Sequence, residues 1–374
     1  MFEFFSNKKE GERSVILDIQ SGLVRGAVVL RNLDNTLVTS VVTRSISSKT
    51  TIKNSEHLTK RVLKLISEVT EHLSRDIGKN RVDKVEYILS SPWIVSKLKT
   101  VKMDFDKETE ITQSILSDII KKETDGSVAN TDTRAIEQKI FEIRLNGYPT
   151  VLVEGKKAHS LEVSLSTSFG SISFLDKVHD VVVKNIRHKH SSLHSSPLLQ
   201  YKALREILKD KNEFIYLHIH SELTDMIIVK DGLCKHIASF PFGIQTILRK
   251  VSSGTKETIE SSDSVLSLYQ GNKLSEDEQA RMKKIVDPLM SDWSSQCIKS
   301  FEGVFDITST PRVMYISSHS HFDMFKSALA ATGKYNFELI SYDTIETDSD
   351  VIFSKGVAQS NMIKLYTVAL NEKV

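Results

Sequence analysis

The chain writes one pattern twice, and that pattern limits its possible folds more than any other feature. Ser14–Ile19, Leu23–Leu30 and Leu37–Ser45 have the apolar texture of three consecutive strands, with Arg31–Asn35 as a hairpin connection. Behind Ser55, a fair helix cap, Leu58, Val62, Leu65, Ile66, Val69 and Leu73 recur at helical spacing. The order returns at Phe214–His220, Thr224–Lys230 and Cys234–Phe240, with a helix from about Ile244 to Val251. Asp231-Gly232 marks the second hairpin. Three strands in succession imply an antiparallel meander, which excludes a Rossmann-type start. The two copies share topology and only faint sequence identity, so the chain is expected to build two similar α/β lobes.

Between the copies the texture changes. Val82–Ser90 is a strand punctuated by Pro92. An amphipathic helix over Ile111–Ile120, alternating strands at Ala135–Asn146 and Ser160–Ser168, and a helix over Phe174–Ile186 make one unit near 101–186. Thr124–Thr133 has loop composition, and His188–Ser196 has linker composition. Leu198–Leu208 is helical, and residues 255–306 are mostly so. Arg312–Ile316 makes a short strand, with helices at Met324–Ala331 and Val357–Leu370.

The opening MFEFFSNKKEGERSVILDIQSGLVRGAVV looks like that of PilM-type pilus assembly and FtsA-type division proteins. VEYILSSPWIVSKLKTV (85–101) resembles the stretch preceding that family's inserted subdomain. FIYLHIHSELTDMIIVKDGLCKHIASFPFGIQTI (214–247) is similar to its second phosphate segment, and VAQSNMIKLYTVAL (357–370) to its closing helix. The resemblance spans essentially the whole chain as an order of elements. It implies an actin-like, ribonuclease-H-like duplicated fold with two lobes and an inserted small α+β subdomain. The first lobe would comprise 1–100, 187–210 and 352–374, the insertion 101–186, and the second lobe 211–351, with 252–306 a helical subdomain.

In such a fold the nucleotide sits between the lobes, and each copy's first hairpin turn grips phosphate. The resemblance therefore points to ATP and Mg held by Asp18, Ser21 and Gly22 on the first turn. Ser221, Thr224 and Asp225 belong to the second, and Ser317 and Ser318 to the adenosine-side loop. The matches are incomplete. Gln20 stands where the family has Gly, and His220-Ser221-Glu222 replace three glycines. Ser317-Ser318 stand where a Gly pair is usual. Glycine serves such turns because backbone N–H groups must approach phosphate with no Cβ between. Glu222 would add a repelling charge. Asp18 can equally be a strand-end carboxylate closing a turn, and Thr224 and Asp225 turn and strand-start residues. The chain holds only 15 glycines in 374 residues, about 4%, against a usual ~7%. Codon bias would thin them everywhere, but Gly232 survives in a needed turn while positions 218–225 and 317–321 have none.

A net charge of +2 argues against a nucleic-acid binder. Cys234 and Cys297 are too few for a disulfide framework or a Cys-rich zinc site and are read as packing residues. Trp93 and Trp293 are expected in the core or an interface, and KLKTVK (97–102) as a solvated strand face. The pairs His188/His190, His218/His220 and His319/His321 have a spacing that puts both rings on one strand face, where zinc can bind. Polar loop residues are the preferred reading, and no metal site is assigned. No stretch reaches the ~20 apolar residues of a membrane span. Phe2, Phe4 and Phe5 are read as a tail docked on its own lobe.

The resulting expectation is a cytoplasmic actin-like scaffold, recruited to the inner face of the cytoplasmic membrane by a membrane-protein partner of a pilus or division complex. It would work by protein–protein contacts, with possible self-association and with nucleotide hydrolysis weak or lost. The alternative is an active actin-fold ATPase or small-molecule kinase using Mg·ATP.

Overall fold

A computed structural model describes residues 11–32, 35–46, 54–127, 132–150, 152–302, 310–317, 321–333, 335–342 and 350–371. The first copy of the repeated pattern is β1 (Glu12–Ile19), β2 (Leu23–Arg31), β3 (Thr36–Ser45) and α1 (Ser55–Ile77). Asn54 starts α1 by accepting the N–H of His57, and Val62, Leu65, Ile66, Val69, Leu73 and Ile77 form its buried stripe. Strand β4 (Val82–Leu89) follows. β5 (Ile94–Glu110) then runs into an inserted layer of α2 (Gln113–Ser127), β6 (Thr133–Leu145), β7 (Tyr148–Thr150) and β8 (Lys157–Ser171). Helix α3 (Ile172–Asn185), β9 (His188–Ser195) and α4 (Ser196–Ile207) lead to the second copy: β10 (Phe214–Ile219), β11 (Thr224–Lys230), β12 (Leu233–Phe240) and α5 (Ile244–Thr255). The chain continues through α6 (Ile259–Gln270), α7 (Glu276–Lys299), β13 (Val313–Ser317), α8 (Phe322–Ala330), β14 (Glu338–Ser341), β15 (Val351–Phe353) and α9 (Asn361–Leu370).

The duplication is explicit in the sheets. One has the order β15-β3-β2-β1-β4-β9 and the other β12-β11-β10-β13-β14. In each, an antiparallel meander is followed by strands parallel to its first member. This is the two-lobed fold that the repeat predicted. The first sheet packs on α1 and α3, and the second on α5 to α8. A third core, with α4 and α9, lies between the sheets and joins Ile16, Val29 and Ile88 to Phe214, Tyr216 and Ile227. Strand β10 is buried along its whole length because both its faces are covered, so it reads as a continuous apolar run.

Four local expectations differ from the structure. The histidine-rich tract is a strand, not a linker: β9 pairs in parallel with β4 and sends Leu193 into the first core. As the edge of its sheet it carries polar residues on its solvent side without penalty. Helix α2 continues to Ser127, into a segment of loop composition. Helix α3 packs on α1 in the first core, where it also meets the base of the inserted sheet at Ile94 and Ile136. Strands β14 and β15 are new, and their four and three residues are too short for periodicity to show. Phe2, Phe4 and Phe5 lie outside the described residues.

Where β9 meets the insertion, Glu86 is buried between Lys84 Nζ at 2.8 Å and His194 Nε2 at 2.9 Å. Burial works against a charged His194, but Glu137 and Glu86 prevail and hold its pKa above the ordinary histidine value. A raised folded pKa gives stability that is complete below the unfolded value of ~6.5 and lost as the pH climbs through the folded value. The thermal midpoint is therefore expected to fall as the pH is raised above about 6.5. His194→Gln should flatten that slope, and a slope unchanged in the variant would refute the assignment.

Candidate functional site

The two hairpin turns that the resemblance assigns to phosphate face each other between the lobes. In each, a backbone hydrogen bond closes a four-residue turn: Gln20 N to Leu23 O at 2.9 Å and His220 N to Leu223 O at 2.8 Å. Residues of the two turns correspond across the duplication, and the acidic position is exchanged between the first and second strands. Asp18 on β1 stands opposite Arg25 on β2, and His218 on β10 stands opposite Asp225 on β11.

On the first turn, Arg25 Nη1 lies 2.9 Å from Asp18 Oδ2, and the Gln20 amide donates to the same oxygen at 2.9 Å. Asp18 is fully buried and Arg25 nearly so. Burial raises the Asp18 carboxyl above the usual aspartate range, while Arg25, His220 and Gln20 act against the rise. Ser21 Oγ is buried with no hydrogen-bond partner among the described residues. Gly22 is there for contact: a Cβ on it would stand 2.6 Å from the Cβ of Ser221 and closer still to its hydroxyl.

On the second turn, His220 Nε2 lies 2.8 Å from Asp225 Oδ2, and Ser239 donates to the other carboxylate oxygen. His220 Nδ1 lies 3.1 Å from Gln20 Oε1, which joins the two turns. The rings of His218 and His220 are 3.9 Å apart, so the i, i+2 spacing does put them on one face. Gln200 of α4 donates to His218 Nδ1 at 2.9 Å, and Ser196 and Tyr366 complete a buried polar group between α4 and α9. Burial, with the Asp18 charge nearby, pushes the Tyr366 phenol well above its usual range. Thr224 is fully committed: its hydroxyl donates to Phe242 O at 2.7 Å and accepts from Trp293 Nε1 at 3.1 Å. Glu222 points away to α5, where Arg249 grips both its oxygens at 2.8 Å.

The start of α5 is also engaged. Ile244 N donates to His220 O at 3.1 Å, and Gln245 N to Ser221 O at 2.8 Å. Gly243 permits this approach, because a Cβ there would meet the His220 carbonyl oxygen at 2.6 Å. A helix N-terminus satisfied by carbonyls offers little to a phosphate. On the adenosine side, Ser317 is buried at the end of β13, and its hydroxyl has no partner among the described residues. Ser318 and His319 lie outside the described residues. His321 is buried and bridges to α6, with Nε2 2.9 Å from Asp263 and Nδ1 3.3 Å from Gln270.

Mg·ATP does not fit this arrangement. One oxygen of the carboxylate that would hold the metal's water shell, Asp18 Oδ2, is taken by a guanidinium and an amide, the other has no partner among the described residues, and the turns that would flank the phosphates touch. Among the described residues, no group of three or more His, Cys, Asp or Glu side chains is placed to hold a metal. Sequence reasoning named Asp18, Ser21, Gly22, Ser221, Thr224 and Asp225, and the structure brings them to one place. It read Gln20 as a departure from the family's Gly, and missed Arg25, Gln200 and Tyr366, which fill that place.

No family model matches the chain, and no curated protein matches it. Solved structures match in fold. A PilM–PilN type IV pilus biogenesis complex superposes with a TM-score of 0.61 at 12% identity, covering 96% of this chain and 96% of that one. The ethanolamine utilization protein EutJ of Carboxydothermus hydrogenoformans gives 0.48 at 10% identity, covering 97% and 91%. A Bacteroides thetaiotaomicron protein described as having an actin-like ATPase fold gives 0.44 at 9%, covering 98% and 99%. The first of these shows that the chain shares its two-lobed α/β fold with a PilM–PilN complex chain. No described helix is long and apolar enough to cross a membrane.

Proposed function

We propose that the chain is an actin-like scaffold of the PilM/FtsA kind, which ties a membrane protein of a pilus or division assembly to partners in the cytoplasm and does not turn over nucleotide. One observation carries the reading: both phosphate turns are occupied by the protein's own buried side-chain pairs, Asp18–Arg25 and Asp225–His220. An ATPase or kinase would need Asp18 and Thr224 free to hold Mg·ATP, and the Thr224 hydroxyl and one Asp18 oxygen are spent on internal bonds. The match over nearly all of a PilM–PilN complex chain supports the pilus-type scaffold as the first alternative to consider.

A partner groove fits where α3, β4 and β9 meet the inserted β6. Tyr87, Leu89, Leu175 and Leu193 give a cavity of about 260 Å³ an apolar floor, with Arg134, His179 and Asp176 exposed at its edge. A short extended segment with one apolar side chain and an acidic group would match it. Purification of the full chain from its own cells in mild detergent is expected to bring down a single-span membrane protein. Arg134→Glu should reduce that recovery about tenfold, the loss of roughly one charge-assisted contact. Equal recovery by the variant would exclude this groove, and recovery of no membrane protein would count against the scaffold.

A further inference from the structure

We infer that a proton on His220, rather than a nucleotide, bolts the mouth of the cleft. The inference rests on the scaffold reading above, since it assigns the phosphate turns a role in which no phosphate takes part. Asp18 fixes the orientation of the Gln20 amide: its nitrogen faces the carboxylate at 2.9 Å, so its oxygen faces His220 Nδ1 at 3.1 Å. The other ring nitrogen faces the Asp225 carboxylate at 2.8 Å. Both partners are acceptors, and only a ring protonated at both nitrogens donates to both. The charges then balance. Asp18 and Asp225 are fully buried carboxylates, and Arg25 and the His220 imidazolium are their counter-ions. A neutral His220 would leave one buried carboxylate without a cation, which is costly in a dry site.

The groups around the ring come from every neighbouring element. His218 on β10 lies alongside, with its Nδ1 accepting from Gln200 of α4. Asp225 and Ser239 face it from β11 and β12, Asp18 and Arg25 through Gln20 from β1 and β2, and Tyr366 stands behind on α9. Glu222, on the same turn, is held away by Arg249 of α5. If the ring loses a proton, one nitrogen presents a lone pair to an oxygen lone pair. When that nitrogen is Nδ1, the bond between the turns is lost. The base of the cleft is held by the apolar core around α4 and α9, whose packing does not pass through the His220 ring, and it stays shut. Deprotonation therefore loosens the mouth while the hinge side holds.

Two readings on the full-length protein test this. Nitrogen-15 spectra of the His220 ring are expected to show protons on both nitrogens at neutral pH. Amide exchange at residues 20–23 and 220–223, corrected for its intrinsic pH dependence, should speed up about tenfold as the ring loses a proton, the loss of one charge-assisted hydrogen bond. Core amides of β1 and β10 should keep their protection. His220→Gln should exchange fast at the turns at every pH, and His321→Gln, a buried histidine outside the clamp, should keep the wild-type step. A singly protonated ring at neutral pH, or turn protection that ignores the ring's titration, would overturn the inference. Saturable Mg·ATP binding would instead overturn the scaffold reading and leave the ring measurement standing, so the two failures are distinct.

Discussion

Arg25→Met is expected to destabilise the protein by about 3–5 kcal/mol, because it strands Asp18 in a site with no solvent. The guanidinium and the carboxylate are both buried and only 2.9 Å apart, so neither has water to fall back on. The same methionine beside Asp18→Leu should recover most of the loss, since an apolar pair of similar volume removes the unpaired charge along with its partner. Urea denaturation of the two single variants and the double variant measures this directly. If Arg25→Met costs under about 1 kcal/mol, the value of an exposed pair, the clamp is not the closed unit described here.

Trp293→Ala should cost a similar amount, about 3–5 kcal/mol, for a different reason. Trp293 is fully buried on α7, lies 4.7 Å from the Phe325 ring of α8, and donates to Thr224 beside the second turn. Its removal opens a cavity in the second lobe's core and leaves a buried hydroxyl short of a donor. Trp293→Phe keeps most of the volume and loses the N–H, so it should cost about 1–2 kcal/mol. If the two substitutions cost the same, the hydrogen bond to Thr224 would outweigh the packing, contrary to this account.

The repeated meander was legible because each copy is a run of buried or alternating strands ended by a turn and a capped helix. These are local signals, and they fixed the two lobes and most helices. Strand β9 was hidden because an edge strand can carry His188, His190 and His194 with little apolar signal. Strands β14 and β15 need neighbours from elsewhere in the chain to exist at all. At the site, the absent glycines pointed to lost phosphate chemistry, but not to what took its place. That signal was present in the correspondence of the turns. Gln20-Ser21-Gly22-Leu23 lies against His220-Ser221-Glu222-Leu223, with Asp18 and Arg25 in one copy and His218 and Asp225 in the other. Residues two positions beyond each end of a hairpin turn face each other across it, and the acidic one stands on the first strand in one hairpin and on the second strand in the other, where it binds His220 rather than His218. Tyr366 and Gln200 had no such signal, since tertiary packing alone brings α9 and α4 to the cleft.

Thermal unfolding with and without millimolar Mg·ATP tests the central claim most directly. A ligand at about 100 times its Kd adds roughly 2.7 kcal/mol, a shift that a melting curve resolves easily. A cleft closed by Asp18–Arg25, Gln20–His220 and Thr224–Trp293 predicts no shift. A saturable rise of that size, abolished by Asp18→Ala, would show that the turns still hold nucleotide and would contradict the account.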